Sequence, residues 1–232
     1  MNRKSLNCYE DKPRYTRNGY GIDISSQRLD DLDLQALDYL RNLKHQSEDG
    51  KVSLLELGCS SGGFSKTAAS DFIKVIAIDA CAYPKEWQAA ITENNDLTFI
   101  QHPLPSFPMS LAEMSFDCVV SQRALHYLNY EDVFAVLNWC KTHLKREGRI
   151  YVSVSGIGSE LGVGYSAINQ PVRERWGRID THLAACHGIQ HNVCLYSKTE
   201  LTDIMKLVGF RIVKSWVSDF GNIKAIGELY HE

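Results

Sequence analysis

The chain has 232 residues, 44% hydrophobic and 23% charged, which suits one domain with a sizeable core and excludes a disordered or fibrous protein. Lys and Arg number 25 against 28 Asp and Glu, so the formal net charge of −3 lacks the overall basic signature of many nucleic-acid-binding domains. Seven cysteines, odd in number and without a Cys-x-x-Cys pair, read as free thiols of a reducing compartment.

The N-terminus, MNRKSLNCYEDKPRY, lacks the apolar core of a signal peptide. No apolar run approaches the roughly 20 residues that span a bilayer. The expectation is a cytoplasmic protein that does not enter a membrane. Residues 1–28 carry Arg3, Lys4, Lys12, Arg14, Arg17 and Arg28 against Glu10, Asp11 and Asp23, with turn signals at Asn18-Gly19 and Gly21. This stretch is expected to be a solvated tail or a lid, set before a single domain over 29–232.

SSQRLDDLDLQALDYLRNL starts with serines and spaces Leu29, Leu32, Leu37, Leu40 and Leu43 near the helical period, predicting a serine-capped amphipathic helix. KVSLLEL is a short apolar run and predicts a buried strand. A helix follows from Gly62 to Ala69, then the strand FIKVIAID. PKEWQAAITENN opens with proline and predicts a helix. DLTFIQ is the third strand, the proline-rich HPLPSFP a connection, and SFDCVVSQ the fourth strand. YEDVFAVLNWCKTHLKREG predicts a long helix ended by Gly148, and RIYVSVSG a fifth strand. This alternation predicts a parallel sheet with helices on both faces.

Residues 156–196 break the pattern with about forty residues and no strand signal, an insertion expected to be lid-like. SKTELTDIMKLVGF then predicts a Ser-capped helix ending at Gly209. FRIVKSWVSDFGNIKAIGELY predicts a hairpin turning at Phe220-Gly221-Asn222.

The chemistry gathers in LLELGCSSGGFS, residues 54–65. Glycines where a loop leaves the carboxyl end of a strand let the backbone approach a ligand. Asp79 lies 21 residues beyond Gly58, at the end of the second strand, where a carboxylate can accept from both hydroxyls of a ribose. A dinucleotide fingerprint would read G-x-G-x-x-G; Ser60 replaces its middle glycine, which weakens the case for a pyrophosphate and a nicotinamide oxidoreductase.

LLELGCSSGGFS resembles the first motif of class I S-adenosylmethionine-dependent methyltransferases, matched at Glu56, Gly58 and Gly62 and departing at Ser60. IAIDAC resembles their second motif, FDCVVSQRALHYL the fourth-strand motif, and LKREGRIYVSVSG the helix-turn-strand that follows. The resemblance covers residues 30–155 and 197–230. It implies a Rossmann-like seven-stranded, mostly parallel sheet with a C-terminal antiparallel hairpin, and S-adenosylmethionine as cofactor. It also implies cofactor contacts at Glu56, Gly58, Cys59, Ser60 and Gly62. Asp79 would hold the ribose, Ala80, Gln101 and His102 would lie near the adenine, and Ser121 and Gln122 near the methyl-donor end. His102 stands where an acid is more usual.

The acceptor is expected to be a small molecule. His126, just after the fourth strand, is the candidate catalytic base, with a pKa near 6.5 for an unperturbed imidazole. Arg123, Tyr165 and Trp176 are candidate substrate contacts, with Arg173, Arg175, Arg178 and His182 also in the insertion. A protein or RNA acceptor remains open, as does a catalytically inactive cofactor-binding regulator. Gly62-Gly63-Phe64-Ser65 is similar to a loop of RNA methyltransferases that use a Lys-Asp-Lys-Glu tetrad, but the required Asp and Lys are missing after strands four and five. The histidines and cysteines at 182–194 match no common structural-zinc spacing, so no metal is expected.

Overall fold

The structure, a computed structural model, describes residues 13–24, 29–47, 50–71 and 73–229. The expected serine cap at Ser25-Ser26, the tail residues 1–12 and Cys8 lie outside these residues.

Seven strands form one sheet in the order β3-β2-β1-β4-β5-β7-β6. They are β1 (Ser53–Leu57), β2 (Lys74–Asp79), β3 (Leu97–Gln101), β4 (Phe116–Gln122), β5 (Leu144–Val154), β6 (Phe210–Val217) and β7 (Ile223–Leu229). The first five run parallel, whereas β7 lies antiparallel between β5 and β6. The hairpin therefore folds back so that its second strand pairs with β5 and its first forms the edge of the sheet.

The helices are α1 (Asp31–Gln46), α2 (Gly63–Ser70), α3 (Pro84–Glu93), α4 (Tyr130–His143), α5 (Thr181–His187) and α6 (Lys198–Val208). Side chains alternate across a strand, so β1 sends Leu55 and Leu57 into one apolar layer and Leu54 into the other. The first layer is filled from α4 and α6 by Val133, Leu137, Leu201 and Met205. The second is filled from α1, α2 and α3 by Leu37, Leu40, Phe64 and Trp87. Burial on both faces explains why the central strands read as continuous apolar runs.

Two boundaries differ from expectation. The first helix is capped by Asp30, which accepts from the Leu32 and Asp33 amides while Asp33 accepts from the Asp30 amide. An acidic capping box thus does what a serine was expected to do. The fourth helix ends at His143, not at Gly148, because Leu144 already pairs with Phe116 of β4. Residues 145–148 form an irregularity inside β5, with Glu147 at φ +65°. Pairing along the sheet overrides the helical propensity of LKRE.

The insertion, residues 156–196, has its own small core of Leu161, Tyr165, Ile179, Ile189, Val193 and Leu195. Buried Arg175 ties it to α6 through both carboxylate oxygens of Glu200, at 2.8 and 2.9 Å. Among the described residues no helix is long and apolar enough to cross a membrane.

Candidate active site

The strand order reverses between β1 and β4, and a cleft of about 230 Å³ opens there at the carboxyl edge. Gly58 and Ser60 enter it from β1, Asp79 and Ala80 from β2, His102 from β3, and Gln122, Arg123 and His126 from β4.

At one end the loop after β1 is pinned to Asp79. The Ser60 and Cys81 amides each donate to one carboxylate oxygen at 2.8 Å. Ser60 takes φ +50°, and its hydroxyl meets the Tyr83 hydroxyl at 3.2 Å. Burial raises the Asp79 carboxyl above its ordinary value, against the pull of these two amides. Each carboxylate oxygen keeps a lone pair for a ligand. Gly58, at φ +74°, is needed because a Cβ there would stand 2.2 Å from the Ala124 Cβ.

Glu56 follows the strand alternation toward α2, where its carboxyl accepts from the buried Ser65 hydroxyl. Burial pushes it up to about 8, so it is protonated at neutral pH. It reaches the cleft as a neutral group.

At the end of β4, the Gln122 amide donates to Asp33 Oδ1 at 3.1 Å, and its buried Oε1 has no hydrogen-bond partner among the described residues. Arg123, at φ +55°, has no hydrogen-bond partner for its Nε among the described residues. His126 is 3% exposed and faces Ser155 Oγ across 3.4 Å, and its Nδ1 has no hydrogen-bond partner among the described residues. Burial first, then the Arg123 charge, lower its pKa to about 3. It is therefore a weaker base than the unperturbed imidazole expected from the sequence.

The N-terminal segment and the insertion close the cleft together. Tyr20 stacks on His191 at 4.2 Å, Gly21 donates to the Gly188 carbonyl at 3.1 Å, and Gln190 donates to the Gly19 carbonyl at 2.9 Å. On the opposite side Ser61 donates to buried Asp23 at 2.5 Å, and the Arg17 amide donates to the Tyr83 hydroxyl at 3.1 Å. Residues 16–24 are thus a packed strap, with Tyr20, Ile22 and Asp23 on the cleft wall.

Several expected site residues sit elsewhere. Cys59 is fully buried in the α2-side core, and burial holds its thiol well above the ordinary value. Gly62, at φ +80°, makes room for Trp87, not for the cleft: a Cβ there would lie 2.4 Å from the indole. Ser121 is buried and donates to the Leu57 carbonyl at 3.3 Å. Gln101 is exposed and donates to the Ala80 carbonyl at 3.3 Å. Tyr165 is in the insertion core, donating to the Val193 carbonyl at 2.6 Å, and Trp176 lies on the outer surface away from the cleft lining. His182 faces Cys186 at 3.6 Å, and no described group of three or more His, Cys, Asp or Glu is arranged to hold a metal ion.

Sequence reasoning missed Tyr20, Asp23, Tyr83, Tyr127, Glu160 and His187 on the cleft wall. The only signal available was the tyrosine-rich, turn-punctuated segment before residue 25.

Residues 20–215 match the family described as Methyltransferase domain. No curated protein matches the chain. Similar folds occur in PH0226 of Pyrococcus horikoshii, with a TM-score of 0.64, 18% identity, and 98% of this chain and 100% of that one covered. The 1,6-didemethyltoxoflavin-N1-methyltransferase of Burkholderia thailandensis, bound to 1,6-didemethyltoxoflavin and S-adenosylhomocysteine, gives 0.60, 18%, and 84% and 79%. The magnesium protoporphyrin IX methyltransferase of Synechocystis PCC 6803, with bound S-adenosylhomocysteine, gives 0.58, 15%, and 86% and 84%.

Proposed function

The chain belongs to the methyltransferase-domain family, and from that premise we propose that it transfers a methyl group from S-adenosylmethionine to a small-molecule acceptor held in the same cleft. The observation that carries this reading is the pairing, across one cleft, of the Asp79 carboxylate with the orphaned groups of Gln122 and Arg123.

The residues present fit the cofactor. Asp79 suits the ribose hydroxyls, with Ala80 and His102 beside the adenine. The unpartnered Gln122 carbonyl suits the ammonium of the methionine part, and the unpartnered Arg123 Nε–H its carboxylate. Gly58 and Ser60 supply the floor between them. When bound, S-adenosylmethionine supplies a methyl group already activated on a sulfonium sulfur.

The protein is then left with alignment and the exclusion of water. The strap and the insertion cover the cleft. The neutral His126 ring holds the acceptor by accepting a hydrogen bond from its N–H or O–H on the unprotonated ring nitrogen, and a pKa of about 3 keeps that nitrogen free of a proton. A hydroxyl that has gained a methyl group is acidic enough to release its proton even to so weak a base.

A small acceptor is supported by a cleft that the strap and the insertion wall on two sides. It is also supported by the names of two similar structures, which give 1,6-didemethyltoxoflavin and magnesium protoporphyrin IX as acceptors. The test is incubation of the protein with methyl-tritiated donor and fractionated cell extract. Label is expected in the small-molecule fraction and absent with Asp79→Ala. Label in protein or RNA would refute the small acceptor, and no label from a protein that binds the donor would refute the catalytic reading.

A further inference from the structure

Seven buried polar side-chain atoms lack a partner among the described residues, and five belong to side chains that line the cleft: Gln122 Oε1, Arg123 Nε, His126 Nδ1, Ser159 Oγ and His187 Nε2. Unpartnered buried polar groups are costly, and their clustering marks a place where a ligand completes them. The donor accounts for the first two in the reading above. The other three share the end of the cleft formed by the insertion. His126 faces Ser155 just before the insertion, and Ser159 and Glu160 follow in the chain. His187, at the end of α5, brings Nε2 to 3.6 Å from Glu160 Oε2, just beyond hydrogen-bond range.

This wall is held rigidly. Ser159 is 6% exposed, and a Cβ on Gly221 in the β6–β7 turn would stand 2.6 Å from its Cα. Gly156 packs as closely, its Cβ position 2.1 Å from the Gly221 carbonyl. The turn and the insertion therefore fix the backbone that carries Ser159.

The charge is one-sided. Among the described residues the lining carries the carboxylates of Asp79 and Glu160 and one guanidinium, Arg123; the donor engages Asp79 and Arg123, which leaves the Glu160 carboxylate at the acceptor end. Burial lowers the pKa of both His126 and His187, with Glu160 opposing the shift at His187, so both imidazoles are neutral at neutral pH. An incoming anion would meet repulsion, and a neutral or cationic hydrogen-bond donor would not.

We propose that Ser159, Glu160, His187 and His126 form the acceptor subsite, and that it takes a neutral or cationic small molecule presenting an N–H or O–H while rejecting anions. The inference rests on the methyltransferase reading. It assigns Glu160 and His187 as the groups that receive the acceptor's donor hydrogens, Ser159 as an adaptable partner, and His126 as the group beside the reacting atom.

Three probes share a benzene ring and differ in charge: phenol, benzylamine and benzoate. Saturation-transfer NMR on the full chain, saturated with S-adenosylhomocysteine, reads their binding. Phenol and benzylamine are expected to bind and benzoate not. Glu160→Gln should weaken benzylamine by roughly tenfold, the effect of losing one hydrogen bond to a charged group. Ser159→Ala should weaken phenol severalfold. Both variants should hold S-adenosylhomocysteine within about threefold of the unmodified protein, which shows that they fold.

Benzoate binding as well as the other two, no binding of phenol or benzylamine at millimolar concentration, or unchanged affinities in both variants would overturn the subsite. Failure of the unmodified protein to bind S-adenosylhomocysteine would sink the methyltransferase reading and the subsite with it. Binding of that ligand with the wrong probe ranking would sink the subsite alone.

Discussion

Gly62→Ala distinguishes a glycine that serves a ligand from one that serves the core. Gly62 sits at φ +80°, and a Cβ there would lie 2.4 Å from Trp87 Cζ2 and 2.7 Å from Cη2. The indole cannot readily retreat. Its Nε1 donates to the Ser60 carbonyl at 2.9 Å, its ring stacks on Phe99 at 4.8 Å, and it is 2% exposed. A left-handed backbone costs an L-residue about 1–2 kcal/mol, and forcing a methyl into a filled core costs about 1–3 kcal/mol more. Gly62→Ala should therefore destabilise by about 2–5 kcal/mol in urea unfolding followed by far-ultraviolet circular dichroism. Beside Trp87→Leu, which vacates the space, only the backbone cost of about 1–2 kcal/mol should remain. The double-mutant cycle should then show a coupling of about 1–3 kcal/mol. Equal costs in both backgrounds, within about 0.5 kcal/mol, would refute the steric reasoning.

Other outcomes follow from the same contacts. Glu56 is ordinarily ionised above about 4.5, but burial holds it protonated in the folded state up to about 8. Its stabilising proton is fully present below the lower value and lost as pH rises through the upper one. Glu56→Gln should accordingly gain melting temperature relative to the unmodified protein between about pH 5 and about pH 8; parallel curves would contradict this. Arg175→Ala leaves Glu200 without its bidentate partner and should cost about 2–4 kcal/mol in urea unfolding, whereas a loss under about 1 kcal/mol would show the pair to be weak. S-adenosylhomocysteine should slow amide hydrogen exchange at Thr16, Gly21 and Asp23, whose N–H groups tie the strap internally and to the insertion. Unchanged exchange there would separate the strap from the ligand site.

The strands were legible because burial on both faces writes an unmistakable apolar run, as in β1 and β2. Asp79 and the loop after β1 were legible because their role depends on local spacing. Gly62 was misread for a non-local reason: nothing in residues 54–65 shows that Trp87 packs over them. Cys59 and Ser121 carry polar or reactive atoms beside the site, yet core packing and strand alternation turn both away from the cleft. Tyr165 and Trp176 show the same limit within the insertion, whose small core claims the tyrosine. The end of α4 was hidden because LKRE has good helical propensity and only the pairing of Leu144 with Phe116 ends the helix. The strap was partly visible as turns and tyrosines, but its closure over the cleft depends on contacts with Gly188 and His191 far along the chain.

Calorimetric titration with S-adenosylmethionine and S-adenosylhomocysteine tests the cofactor assignment most directly, with Asp79→Ala and NADH as controls. Both sulfur ligands should bind the unmodified protein at one site, and NADH should not. Removing the Asp79 carboxylate deletes two charge-assisted hydrogen bonds of about 1.5–3 kcal/mol each, so affinity should fall by at least about a hundredfold. Binding of NADH in place of the sulfur ligands, or equal affinity in Asp79→Ala, would contradict the assignment.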